Sequence, residues 1–250
     1  MRLQLATWSE TDDYLKTSTG IIVPIGSTEQ HGPTGFIGTD ALTAEAIGQR
    51  LGDAVGAMVA PTISVGMAQH HLGFSGSMTL RPSTLLLVVK DMIDSLTVHG
   101  FDRFFFVNGH GGNIATVNAA FSEVYADASL GGASNRAPVK CVMQNWFVMP
   151  GVTALAEELY GDAEGSHATV SEVAVTYALF PEDAARIRNA ALEPAIAPDG
   201  DIYDAADYRR SFPDGRIGSN PGLAEAEHGE RFMAVAVADL AVIYKEFTAS

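Results

Sequence analysis

Apolar residues gather in short unbroken runs along this chain, and between the runs they recur at helical spacing. The first run, GIIVPI at residues 20–25, reads as a strand buried on both faces. The period then changes to 3.6 in TDALTAEAIGQRLGD (39–53), a helix with Thr39 or Asp40 at its N-cap. GAMVAPTISVG (56–66) reads as a second strand, which Pro61 ends or bulges. Residues 67–81, MAQHHLGFSGSMTLR, fit a loop or a short strand. PSTLLLVVKDMIDSLTVHG (82–100) is a strong helix, with Pro82 near its start and Gly100 just past its end. The aromatic strand FDRFFFV (101–107) runs into the glycine turn NGHGGN, and IATVNAAFSEVYADAS (114–129) is the helix after it. APVKCVMQNWF (137–147) is the fourth strand. Beyond it, 153–161 and 168–181 read as helices and 193–223 as a long Pro-, Asp- and Gly-rich excursion. Residues 223–247 form an amphipathic helix whose apolar stripe packs on a sheet.

Strands that alternate with helices predict an α/β fold, a three-layer sandwich around a mostly parallel sheet. No repeat, low-complexity tract or linker interrupts it, so residues 1–250 are expected to form a single domain. Ligands in such sheets bind beyond the carboxyl ends of the strands. The turns after the first and third strands are therefore where chemistry is expected.

Composition narrows the partners. The net charge is −15 with only four lysines, so the chain lacks the cationic footprint that nucleic acid or an anionic membrane requires. Carboxylates in excess also concentrate divalent cations. The single cysteine, Cys141, has no intrachain partner and reads as a buried inert thiol, in keeping with a reducing compartment. The N-terminus lacks a signal-peptide h-region, and no apolar run reaches the ~18 residues of a membrane span, so a cytoplasmic protein is expected.

Both expected turns are rich in metal-ligand residue types. The first, IGSTEQHGPTGFIGTD (25–40), holds Glu29, His31 and Asp40. In extended backbone residues i and i+2 point the same way, so Glu29 and His31 reach one cluster. Asp40 must fold back to join them, unless it is only an N-cap. The second turn holds Asn108, His110 and Asn113. Four donors, Glu29, His31, Asp40 and His110, suit a hard or borderline divalent cation. The GHGGN turn also has the form of an anion nest, but it is neither a dinucleotide fingerprint nor a phosphate loop. A third cluster, EGSHATVSEVAV, holds Glu164, His167 and Glu172. On one helix His167 and Glu172 would diverge by about 140°. Glu172 lies in an apolar helix, where a carboxylate is costly unless it pairs or ligates. Glu164 reads as a surface residue.

The segments PIGSTEQHGPTGFIGTD, VNGHGGN and SHATVSE, together with HHLGFSGSMTL, resemble the creatininase family, which includes creatinine amidohydrolases, formamide hydrolases and mycofactocin-type peptide-maturation proteins. The resemblance covers most of the chain. It implies a parallel α/β fold, a homo-oligomer (often a hexamer), and a site for two divalent metal ions, zinc or manganese and sometimes iron. It places Glu29, His31, Asp40 and His110 among the ligands, with Asp40 bridging, and His167 as the proton-transfer residue. Glu172 falls on the glutamate of the family's HAGxxETS motif. Creatininase itself carries a glutamate ligand where this chain has Gly112, and Glu172 is expected to replace it. Thr34 stands where many members have a second histidine. The segment YGDAEGSH lacks the lid tryptophan of creatininase, and Trp146 is expected to take a related role. His71 and Asn108 are expected to position the substrate. The implied activity is metal-dependent hydrolysis of a small amide, cyclic amide or formamide. The alternative is a metal-binding maturation protein acting on a peptide or cofactor precursor.

Overall fold

The computed structural model describes residues 1–131, 138–188 and 195–249. Strand β1 (Gly20–Ile25) is buried at every position. It pairs in parallel with β2 (Met58–Val59) on one side and with β3 (Arg103–Asn108) on the other. Strand β4 (Lys140–Asn145) pairs in parallel with β3, giving the order β2-β1-β3-β4. Successive side chains of a strand face opposite ways, and this divides the core. Ile22, Phe105 and Val107 pack on one face against α2 (Thr39–Val55), α5 (Pro150–Leu159), α6 (Val170–Leu179) and α9 (Ala226–Thr248). Ile21, Val23, Ile25, Phe104 and Phe106 pack on the other against α3 (Pro82–Val98) and α4 (Ile114–Leu130). The result is the three-layer α/β arrangement expected. No described helix is long and apolar enough to cross a membrane.

The second strand is shorter than its apolar run. Pro61 has no N–H, so the ladder lapses after Val59. Ala60 and Ile63 still donate to the Ile22 and Pro24 carbonyls, at 2.8 and 3.0 Å, and the segment leaves β1 only beyond that point. Two of the helices without a sequence forecast are short ones, α1 (Trp8–Leu15) and α7 (Pro181–Arg188). A third, α8 (Ala205–Ser211), lies in the Pro-rich excursion. That excursion is tied down: Tyr208, Phe212 and Ile217 are buried against Phe74. Ala137 of the expected fourth strand and residues 193–194 of the excursion lie outside the described residues. Cys141 is half-buried rather than buried, and burial pushes its thiol up to about 12, so it is unreactive.

Candidate metal centre

Ile25 and Asn108 are register partners, so the turns after β1 and β3 start side by side. The first turn closes on itself through Glu29 N–H to the Ile37 carbonyl (2.7 Å) and Gly35 N–H to the His31 carbonyl (3.0 Å). Helix α2 begins directly afterwards. Its N-cap is Gly38, not Thr39 or Asp40, and no side chain caps it. Asp40 is instead the second helical residue, in the first turn, where the helix dipole favours an anion. The second turn lies against it. A Cβ on Gly109 would stand 2.3 Å from the Asp40 carbonyl oxygen, so only glycine permits this approach.

Two backbone carbonyls set the histidine geometry. His31 Nδ1 lies 3.0 Å from the Glu29 carbonyl, and His110 Nε2 lies 2.9 Å from the Met67 carbonyl. A carbonyl only accepts, so these nitrogens carry protons. The opposite nitrogens face carboxylates: His31 Nε2 is 3.0 Å from Asp40 Oδ1, and His110 Nδ1 is 3.1 Å from Asp40 Oδ2 and 3.3 Å from Glu29 Oε1. Glu29 Oε2 accepts from the Ser27 hydroxyl at 2.8 Å. Glu29 Oε1 and Asp40 Oδ2 are buried and receive no well-aligned hydrogen bond, with only imidazole nitrogens beside them. Orphaned buried carboxylate oxygens are costly unless a cation meets them. Two ligand atoms on one tetrahedral zinc stand about 3.4 Å apart, close to these separations. Three donor sets form: Glu29, Asp40 and His110 in one and His31, Asp40 and Glu172 in another, these two sharing Asp40, and Glu29, His31 and His167 in a third.

The electrostatics agree. Burial alone would lower His31 and His110. For His31 the charges of Asp40 and Glu172 outweigh it and raise the group to about 10. For His110 the charges of Glu29 and Asp40 raise it to about 9. Burial would raise Asp40, but His31 and His110 hold it below the usual carboxylate range. Burial raises Glu172 to about 7, with the Asp40 charge adding and His31 opposing. The carboxylates thus favour positive charge at the two imidazoles.

His167 does not begin α6. It precedes the helix, whose N-cap is Thr169, and pairs with Ile217 of the excursion. The divergence argued for a shared helix therefore does not arise. Glu172 is the third residue of α6: its Oε1 accepts from Thr169 N–H at 2.6 Å and lies 3.9 Å from His31 Nε2. Its carboxylate both caps the helix and faces the cluster. Asp40, His110, His167 and Glu172 line a cleft of about 430 Å³. Glu164 lines it too and is not a surface residue. Its carboxylate accepts from the Ser171 N–H and hydroxyl, and burial raises it.

Three expected substrate contacts fall elsewhere. Trp146 is fully buried in the core, its indole N–H donating to Thr43 Oγ1 at 3.2 Å, so it covers nothing. Asn108 is fully buried and spent on the turn: it donates to the His110 carbonyl and to Asn145 Oδ1, and accepts from His110 N–H. It holds His110 in place. His71 is buried behind the cluster, with Nε2 3.0 Å from Glu29 Oε1 and its ring 4.5 Å from that of His167. Burial and the neighbouring histidines lower it to about 2, so it is neutral. Gly112 cannot be a glutamate on this backbone, because its Cβ would stand 2.4 Å from His110 Nε2.

Gln30 had no sequence forecast, though it sits between Glu29 and His31. Its amide nitrogen lies 2.9 Å from His71 Nδ1 and from His167 Nε2, 3.0 Å from the Gly215 carbonyl and 3.3 Å from Tyr208 Oη. The backbone carbonyl oxygen of Gln30 is 2.9 Å from His167 Nε2. Glutamine between two ligand-type residues was the available signal.

A family model described as creatininase, creatinine amidohydrolase, matches residues 4–244. Creatinine amidohydrolase of Pseudomonas putida is 26% identical over 250 residues, covering 96% of this chain and 94% of its own. Mycofactocin precursor peptide peptidase of Mycobacterium tuberculosis is 28% identical over 237 residues, covering 89% and 83%. A solved manganese creatininase superposes with a TM-score of 0.82 at 25% identity, over 100% of this chain and 99% of that one. A match of this extent places the chain in the creatininase family, a family of amidohydrolases.

Proposed function

We propose that the chain, acting as one domain, hydrolyses a non-peptide C–N bond in a small amide, cyclic amide or formamide with two divalent cations. The carrying observation is the pair of buried donor sets that share Asp40, with unpartnered oxygens on Asp40 and Glu29. Glu29, Asp40 and His110 would hold one cation, and His31, Asp40 and Glu172 the other. Mixed nitrogen and oxygen donors suit manganese, zinc or iron. Cations in such a site supply Lewis acidity, which acidifies water and polarises a carbonyl oxygen.

The chain's own groups do the rest. Ser27 orients Glu29, and Asn108 orients the turn that carries His110. His167 is kept neutral by burial and by His71 and His31, in that order. With Nε2–H held by the Gln30 backbone carbonyl, its Nδ1 takes the proton of the attacking water. It returns that proton to the leaving nitrogen as the C–N bond breaks. Creatinine is not the expected substrate, since Trp146 is in the core and residues 160–167 carry no tryptophan. A homo-oligomer in the cytoplasm belongs to the same proposal and is checked by light scattering and fractionation.

The mycofactocin-type relative supports a second reading, maturation of a peptide or cofactor precursor in the same cleft. Metal analysis, chelation with metal add-back, and a screen of lactams, formamides and creatinine beside peptide amides separate the two. Chelation should abolish turnover of a small amide and add-back should restore it. Full activity in His110→Ala would sink the first reading, and cleavage of peptides alone would favour the second.

A further inference from the structure

The cleft extends past its carboxylate and imidazole floor to walls from α5 and the segments flanking it. Phe147 and Val148 supply apolar surface, and Thr153, Ala156 and Glu157 come from α5. Glu164 follows the short turn Gly161–Ala163. No lysine or arginine lines the cleft. Glu158, next along α5, pairs with Arg231 at 3.3 Å. Glu157 is exposed and makes no ion pair with any described side chain. Asp40, only 3% exposed, lines the floor of the same cleft, its buried Oδ2 without a well-aligned hydrogen bond. The walls therefore present an aromatic ring and carboxylate charge, which is the furnishing of an ammonium site.

We propose that the substrate carries a cationic group (an amine, a quaternary ammonium or a guanidinium) at the end away from its scissile carbonyl, held by Glu157 beside the Phe147 ring. The inference rests on the amidohydrolase reading above and deepens it. A carboxylate at that end has no cation on the walls to meet and is repelled by Glu157 and Glu164. A dipeptide-like leaving end with a free carboxylate is thereby disfavoured. Because Glu157 is exposed, its share is modest and screened by salt.

Three hydroxamates of equal length test this on the manganese-loaded protein by calorimetry, a binding readout independent of turnover. Their tails are trimethylammonium, tert-butyl and carboxylate. The cationic tail should bind roughly threefold to tenfold tighter than the neutral one, with the carboxylate weakest. Added salt should narrow the spread. In Glu157→Gln the cationic and neutral tails should converge, and Phe147→Leu should also reduce the cationic preference, with melting temperatures confirming that both variants fold. Equal affinities for the three tails, or a tighter carboxylate, overturn the proposal while leaving the metal site standing. If no hydroxamate binds the metal-loaded protein, the metal-site reading fails and the proposal falls with it.

Discussion

Asp40 shows how one residue acquires a role its neighbours in sequence do not dictate. A first-turn aspartate is ordinarily a cap or a dipole partner, yet here Gly38 is the cap and the carboxylate turns into the cluster. Gly112 is the counterpart across the site. Gly112→Ala would push a methyl group onto His110 Nε2 and disturb its bond to the Met67 carbonyl. A stability loss of about 1–3 kcal/mol is expected, with lower metal content, read by denaturant unfolding and elemental analysis. Unchanged stability and metal content would contradict the packing argument. Gln30 is a positioning residue. Gln30→Ala leaves His71 Nδ1 and the Gly215 carbonyl with one donor fewer. The expected cost is about 1–3 kcal/mol. Loss of kcat should exceed any change in KM, because the side-chain amide contacts His71 and His167 but does not itself line the cleft.

At the scale of elements, helix α6 ties a local rule to the site. Thr169 and Glu172 form a capping box, each side chain bonding the other's backbone N–H. The same Glu172 belongs to the donor set with His31 and Asp40. The two roles separate by substitution. Thr169→Ala should cost about 1 kcal/mol and keep its metal. Glu172→Gln keeps a cap acceptor and should melt nearly as before, with one cation fewer per chain. Elemental analysis beside thermal melting checks both, and equal metal content in the glutamine variant would remove Glu172 from the ligands. Element boundaries were largely legible. Proline and glycine punctuate α3 and α4 where the periodicity does, whereas β2 fell short because one proline removes the N–H a ladder needs.

Over the whole molecule, metal and protons compete. His31 and His110 have values raised to about 10 and 9 in the metal-free protein. Groups raised on folding stabilise fully below their ordinary value of 6.5, and that contribution is lost as pH rises through the raised values. The metal-free protein should therefore lose this stability progressively from about pH 6.5 up to about pH 9–10. A cation must displace those protons, so its stabilisation should grow with pH and be smallest near pH 6. At a thousandfold excess over Kd a cation adds about 4 kcal/mol, or roughly 8–16 °C in Tm for a chain of this size. Thermal melts with and without chelator at pH 6, 7.5 and 9 check the sign. A gap between metal-loaded and metal-free protein that shrinks with rising pH would refute it.

The sequence by itself determined the strands, most of the helices and the two glycine turns, because hydrophobic period, proline and glycine act within a few residues of chain. It also determined the pairing of Glu29 with His31, which needs only extended backbone. Tertiary structure decided which residues meet across long separations. It brought Gln30 to His167, 137 residues away, folded the excursion over Phe74, and drew Glu164 into the cleft. It withdrew Trp146 and Asn108 into the interior. Burial and long-range contact depend on how layers pack, and no local pattern encodes which face a tryptophan or an asparagine will turn to water.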